Sequence, residues 1–139
     1  MIILDTNIIS ELMKPVPNKT VIAWLDQQSI LMLYTTSISV AEIYYGLQNL
    51  PTGKRRNDIE TSFHQVIQAA FNQRILAFDV TSAACYGILL ARRKNAGIPM
   101  STLDAQIAAI ATAANATLAT RNTKDFLECD IDIINPFEI

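Results

Sequence analysis

The first seven residues constrain this chain most. Met1-Ile-Ile-Leu4 is an apolar run without alternation, and it leads directly into Asp5, Thr6 and Asn7. A short unalternating run predicts a parallel strand buried on both faces. Thr6 and Asn7 are good N-caps for a helix over Ile8 to Met13. Asp5 is therefore expected at the carboxyl end of a strand, in the turn before a helix. That edge is where open α/β sheets bind ligands. A lone Asp there is explained equally well as a helix cap, so the question is whether other acids reach the same edge.

The remaining chain alternates strand and helix signals. Lys14-Pro-Val-Pro17 breaks the first helix, and Asn18 caps a second over Lys19 to Gln28. Ile30 to Thr35 reads as a second buried strand. Ser39 and Glu42 have the spacing of a capping box for a helix that runs to Pro51. A long amphipathic helix is expected from Lys54 to Asn72, with Ile59, Phe63, Val66 and Ile67 at helical spacing. Arg74 to Asp79 reads as a third strand. Thr81 or Ser82 caps a helix that ends near Gly97, its basic end of Arg92, Arg93 and Lys94 suiting the helix dipole. Ser101-Thr-Leu-Asp104 opens an Ala- and Ile-rich helix from Ala105 to Ala114. Thr117 to Thr120 is a fourth strand, Arg121 to Phe126 a turn or short helical piece, and Ile131 to Ile134 a final strand. The pattern predicts one α/β domain with a parallel sheet covered by helices on both faces.

Composition narrows the function. At 139 residues, half of them hydrophobic, the chain is long enough to bury a core. A net charge of −2 gives no global basic bias, so any grip on nucleic acid must be local. Cys85 and Cys129 are too few for a disulfide framework and fit a reducing cytoplasm. The opening apolar run is far too short for a secretion signal, and no segment approaches the ~20 apolar residues of a membrane span.

The acids are expected to converge. Asp5 follows the first strand, and Glu42 lies in the first turn of the helix after the second. Asp104 begins the helix that leads into the fourth, and Asn122 and Asp125 follow the fourth. In a parallel sheet all of these positions face one rim. Each alone resembles a capping pattern, since acids near helix N-termini are stabilising. Together they place at least three carboxylates near one another. Two like charges about 4 Å apart cost roughly 4 kcal/mol at an effective dielectric near 20. A divalent cation would remove that penalty, and oxygen-only ligands favour Mg²⁺ or Mn²⁺ over zinc.

Five motifs carry a resemblance across nearly the whole chain. They are Ile3-Leu-Asp5-Thr-Asn7-Ile-Ile-Ser10-Glu11, Ser39-Val-Ala-Glu42, Asp104-Ala-Gln-Ile-Ala-Ala-Ile-Ala111, Leu118-Ala-Thr-Arg-Asn122 with Asp125-Phe126, and Asn135-Pro136-Phe137. Together, in this order, they resemble the PIN-domain ribonucleases, and among them the VapC-type toxins of VapBC modules in their FitB-like branch. The resemblance implies a three-layer α/β/α fold with a parallel sheet of about five strands. It also implies an Mg²⁺- or Mn²⁺-dependent endoribonuclease that hydrolyses RNA phosphodiesters. Asp5, Glu42 and Asp104 would be the central, metal-binding acids, with Asn122 or Asp125 completing the set. Hydrolysis would proceed by in-line attack of a water acidified by the cation, with Glu42 or Asp104 orienting it. Thr6 and Thr120 are placed to support the acids, or to serve as ordinary turn residues.

An acidic rim needs flanking cations to accept RNA. Arg121 is nearest in sequence, followed by Lys14 and the run Lys54, Arg55 and Arg56. With an acidic chain, a target recognised by shape, such as tRNA or a structured ribosomal RNA, is expected. The resemblance further implies a cognate VapB/FitA-type antitoxin, homodimerisation with higher hetero-oligomers in the complex, and operator DNA bound only through the antitoxin. Ile43, Tyr44, Tyr45 and Leu47 would face a dimer partner or the core. Two other folds place an Asp after the first strand. A haloacid-dehalogenase-type phosphatase needs a second acid where this chain has Asn7, and a receiver domain needs an acidic pair that is absent. A non-catalytic PIN-like module that binds metal or RNA, or regulates, is the remaining alternative.

Overall fold

The computed structural model describes all 139 residues. Five strands form one parallel sheet: β1 (Ile2–Leu4), β2 (Leu33–Thr36), β3 (Ile75–Leu76), β4 (Thr117–Ala119) and β5 (Ile133–Ile134), in the order β3-β2-β1-β4-β5. Six α-helices connect them: α1 (Thr6–Leu12), α2 (Lys19–Asp26), α3 (Ser37–Gln48), α4 (Lys54–Ala70), α5 (Val80–Asn95) and α6 (Thr102–Ala113). The chain moves outward from β1 through β2 to β3, then returns to the other side of β1 at β4. The order therefore reverses between β1 and β4, which is the switch point where open α/β sheets form their ligand crevice.

The apolar N-terminal run occupies the middle of the sheet. Ile3 and Leu118 point into one core with Leu89, Ile107, Ile110 and Phe126. Leu4 and Ala119 point into the opposite core with Ile8, Val21, Trp24, Ile43 and Phe63. Side chains on alternate strand positions are thus buried on both faces, which gives the three-layer α/β/α sandwich. α5 and α6 end in Schellman turns: Ile98 N donates to Arg93 O across Gly97 (φ 76°), and Ala116 N to Ala111 O across Asn115 (φ 50°). No helix is long and apolar enough to cross a membrane.

Several local expectations shift. Asp5, not Thr6 or Asn7, is the N-cap of α1, its Oδ1 accepting from Thr6 N at 2.8 Å. Ile30–Met32 is a 3₁₀ turn and not strand; it lies outside the sheet, with these side chains 51, 69 and 46 % exposed. Ser39 and Glu42 form no capping box, because Thr36 caps α3 by accepting from Ser39 N at 3.1 Å, so the helix starts three residues earlier. Asp79 is not in β3; it caps α5 by accepting from Ser82 N. α6 begins at Thr102, and α4 ends at Ala70 where Phe71 turns into the core.

Candidate active site

Every element that meets the carboxyl rim near the switch point delivers polar groups there. β1 ends in Asp5, α3 carries Glu42, the first turn of α6 carries Asp104, and the turn after β4 carries Thr120, Arg121 and Asn122. Asp5, Glu42, Asp104, Asn122 and Arg121 line a common pocket of about 430 Å³ that has no hydrophobic wall. Thr6, Asn7, Ser10, Glu11 and Lys14 from α1 and its end complete it.

Asp5 lies at the bottom, 5 % exposed. Its Oδ2 accepts from Thr120 Oγ1 at 2.8 Å and from Asn7 Nδ2 at 3.3 Å, while Oδ1 caps α1. Thr120 is fully buried, and its hydroxyl in turn accepts from Asn122 N at 3.1 Å. Asn7 Oδ1 accepts from Arg121 N at 3.1 Å. The β1–α1 turn and the β4 turn are thereby joined through side chains. Glu42 is half-buried in the second turn of α3, where Oε1 accepts from Thr6 Oγ1 at 3.0 Å. The earlier start of α3 leaves this carboxylate free of capping duty. Asp104 is half-buried, with its backbone N–H satisfied by the α6 cap Ser101 at 3.2 Å.

Burial pushes all three carboxyls above their ordinary pKa. For Asp5 the rise is opposed by hydrogen bonds from Thr120, Thr6 N–H and Asn7, and reinforced by the Asp104 charge. For Glu42 the Thr6 bond opposes it while Asp5 and Asp104 reinforce it. For Asp104 the Ser101 bond and the Arg93 charge oppose it, while Asp125 reinforces it. Asp125 thus acts on the site through charge but does not line the pocket, whereas Asn122 does. The donors are all hard oxygens, the set that suits a small divalent cation. They line the pocket without converging, since no three His, Cys, Asp or Glu side chains meet closely enough to grip one ion.

The basic candidates divide. Arg121 is at the pocket wall, its guanidinium 4.5 Å from the Phe137 ring centre, and Asn135 Nδ2 donates to its carbonyl. Lys14 stands at the rim, held 2.7 Å from Glu11. Lys54 and Arg55 face a neighbouring groove, but Arg56 turns away to donate to Gln48 Oε1 at 2.6 Å. Two residues escaped the sequence reading of the site. Asn7 looks like a cap locally, and only its partners 113 and 114 positions later reveal it as a clamp. Glu11 is buried, yet its Oε1 accepts from Asn18 N at 2.8 Å, and its pKa is lowered chiefly by Lys14. That carboxylate is committed to the α1–α2 turn, and its spacing to Lys14 was the available signal. Ile43 and Leu47 are core, while Tyr45 is exposed.

The PIN-domain family model matches residues 2–131. The chain belongs to the PIN-domain family. Among PIN-domain relatives, a VapC ribonuclease of Sinorhizobium fredii is 42 % identical over 138 residues, covering 99 % of both chains. Toxin FitB of Neisseria gonorrhoeae is 39 % identical over 137 residues, again 99 % of both. Among solved structures, FitAcB from Neisseria gonorrhoeae matches with a TM-score of 0.92 at 39 % identity, over 100 % of both chains. VapBC-1 of nontypeable Haemophilus influenzae matches with a TM-score of 0.80 at 28 % identity, over 99 % of this chain and all of that one. The parallel sheet order and the acid-lined switch point of this PIN domain are therefore set in a toxin-like framework, from end to end.

Proposed function

We propose that this PIN domain is the toxin of a type II toxin–antitoxin pair and acts as a divalent-metal-dependent endoribonuclease. The observation that carries this reading is the set of three carboxylates, all with raised pKa, lining one oxygen-only pocket at the β1–β4 switch point. Asp5, Glu42 and Asp104 would hold Mg²⁺ or Mn²⁺, with the Asn122 carbonyl oxygen as a further donor. When bound, the cation supplies an acidified water and offsets charge on the phosphate and the leaving oxygen.

The chain's own residues do the rest. Thr120, Asn7 and Thr6 N–H fix both oxygens of Asp5, so that it stays aimed at the pocket. Thr6 orients Glu42, whose raised pKa suits it to take a proton from the attacking water. Arg121 and Lys14 bring positive charge to the pocket lining, which favours entry of a phosphodiester. A cognate antitoxin as inhibitor is supported by the complexes in which FitB and VapBC relatives were solved. Homodimers, higher assemblies with the antitoxin, operator DNA reached through it, and a cytoplasmic location belong to the same proposal.

The decisive assay incubates partner-free protein with total RNA and purified tRNA, in Mg²⁺, Mn²⁺ or EDTA. Discrete cleavage that needs metal and falls at least about 100-fold in Asp5→Asn and Asp104→Asn is expected. Cleavage surviving in both variants would refute the site. A second reading, a PIN module that binds RNA or regulates without cutting, is favoured by the acids' failure to converge. RNA binding by folded protein with no cleavage in either metal would select it.

A further inference from the structure

Two cations line the acidic pocket, Lys14 and Arg121. Lys14 is paired with Glu11 at 2.7 Å. Arg121 is exposed and forms no ion pair, although Asp5, Glu11, Glu42 and Asp104 line the same pocket. Asp5, Glu42 and Asp104 keep raised pKa values, with burial the main cause, in spite of this neighbour. Opposite charges attract, and a guanidinium matches a carboxylate oxygen for oxygen. An arginine so placed folds onto the acids unless something else holds it.

The turn after β5 supplies the hold. Thr120 N donates to Ile134 O at 2.9 Å, so β5 ends beside the turn that carries Arg121. Asn135 Nδ2 donates to Arg121 O at 3.5 Å, and Arg121 N donates to Asn7 Oδ1 at 3.1 Å. The Arg121 backbone is thereby tied from both sides. Asn135 Oδ1 also accepts from Phe137 N at 3.0 Å, which sets the position of the ring. Pro136 is buried, and Phe137 packs half-buried against the second core. The ring therefore has a rigid backing. It lies 4.5 Å from the guanidinium, well inside the reach of a cation–π attraction.

We infer that Phe137 is a positioning residue that holds the Arg121 guanidinium off the active-site carboxylates and so leaves their oxygens open to the divalent cation. The inference rests on the metal-dependent reading of the site. A guanidinium among the acids would make charge-assisted bonds to the same oxygens and compete with the metal. On the ring it keeps its charge at the pocket wall and its donors free. Asn135 shares the task by fixing the Arg121 backbone and the Phe137 backbone together.

The test reads Mn²⁺ affinity by titration calorimetry on partner-free protein without RNA. Phe137→Ala should weaken Mn²⁺ binding about fivefold. Phe137→Leu keeps apolar bulk without the aromatic face and should weaken it equally, and it serves as the variant if Phe137→Ala does not fold. Phe137→Trp retains a face and should bind like the parent. Arg121→Ala should bind Mn²⁺ at least as tightly as the parent. Added to Phe137→Leu, it should restore the lost affinity, which a packing role for Phe137 would not allow. A double variant as weak as Phe137→Leu alone would assign the loss to packing and overturn the inference. Parent-like affinity in Phe137→Leu would overturn it as well. Failure of the metal-dependent reading would appear separately, as parent protein that binds no Mn²⁺.

Discussion

Asp5 is held by Thr6 and Asn7, which follow it in the chain, and by Thr120 from the far end of the sequence. The Thr120 hydroxyl gives Asp5 Oδ2 its short bond and receives the Asn122 N–H. Thr120→Val keeps the shape of the side chain but leaves Oδ2 with only the 3.3 Å bond from Asn7. It also strands a backbone donor. RNA cleavage should fall about 10- to 100-fold, the range typical of residues that orient a metal ligand. The Thr120 bond holds the Asp5 pKa down against burial. Its loss should therefore move the acid limb of the pH–rate profile upward. A profile that stays in place while activity falls would mean that Thr120 acts only on packing. Thr120→Ser, which retains the hydroxyl, should restore the position of the limb.

At the scale of elements, α6 shows how a helix start places a catalytic candidate. Ser101 caps α6 through Asp104 N–H, and the same hydroxyl lies against the Asp104 carboxylate. Ser101→Ala should cost about 1 kcal/mol in urea unfolding and weaken Mn²⁺ binding, with Ser101→Thr recovering most of both. The elements also differ in how far local sequence announces them. β1 was readable because Ile3 and Leu4 serve opposite cores, and continuous apolarity is the mark of that situation. α6 was readable because an Ala- and Ile-rich segment has only one way to pack so closely on a sheet. Ile30–Met32 misled because apolar residues exposed outside a sheet have the same composition as a strand within it. Glu42 was placed at the correct rim for a partly mistaken reason. Ser-x-x-Glu spacing looks like a box, but the cap is Thr36, and the carboxylate is turned to Thr6. The Asn7 clamp had no local signature, because the partners that make it a clamp lie in the turn after β4.

For the whole molecule, three acids with raised pKa make stability depend on pH in a definite direction. The ordinary values are 3.8 for Asp and 4.5 for Glu, and folding moves Asp5, Glu42 and Asp104 above them. The native state then holds protons more tightly than the unfolded chain. The contribution of these groups is most favourable below the ordinary values and is lost as pH rises through the raised ones. A divalent cation competes with the same protons, so its stabilisation should grow across that window. A cation at a hundredfold over its Kd stabilises by about 2.7 kcal/mol. Thermal melts with and without Mn²⁺ at several pH values will show this divergence, and melts that stay parallel would place the metal elsewhere. The sheet order has one more consequence, which concerns synthesis. β4 lies beside β1, so Thr120 is made 115 residues after the Asp5 that it holds. A nascent chain that has not reached Thr120 carries the whole opening acid motif with only Thr6 and Asn7 to hold Asp5. Both sides of the Asp5 carboxylate are therefore held by short bonds only once β4 has been made and has paired with β1.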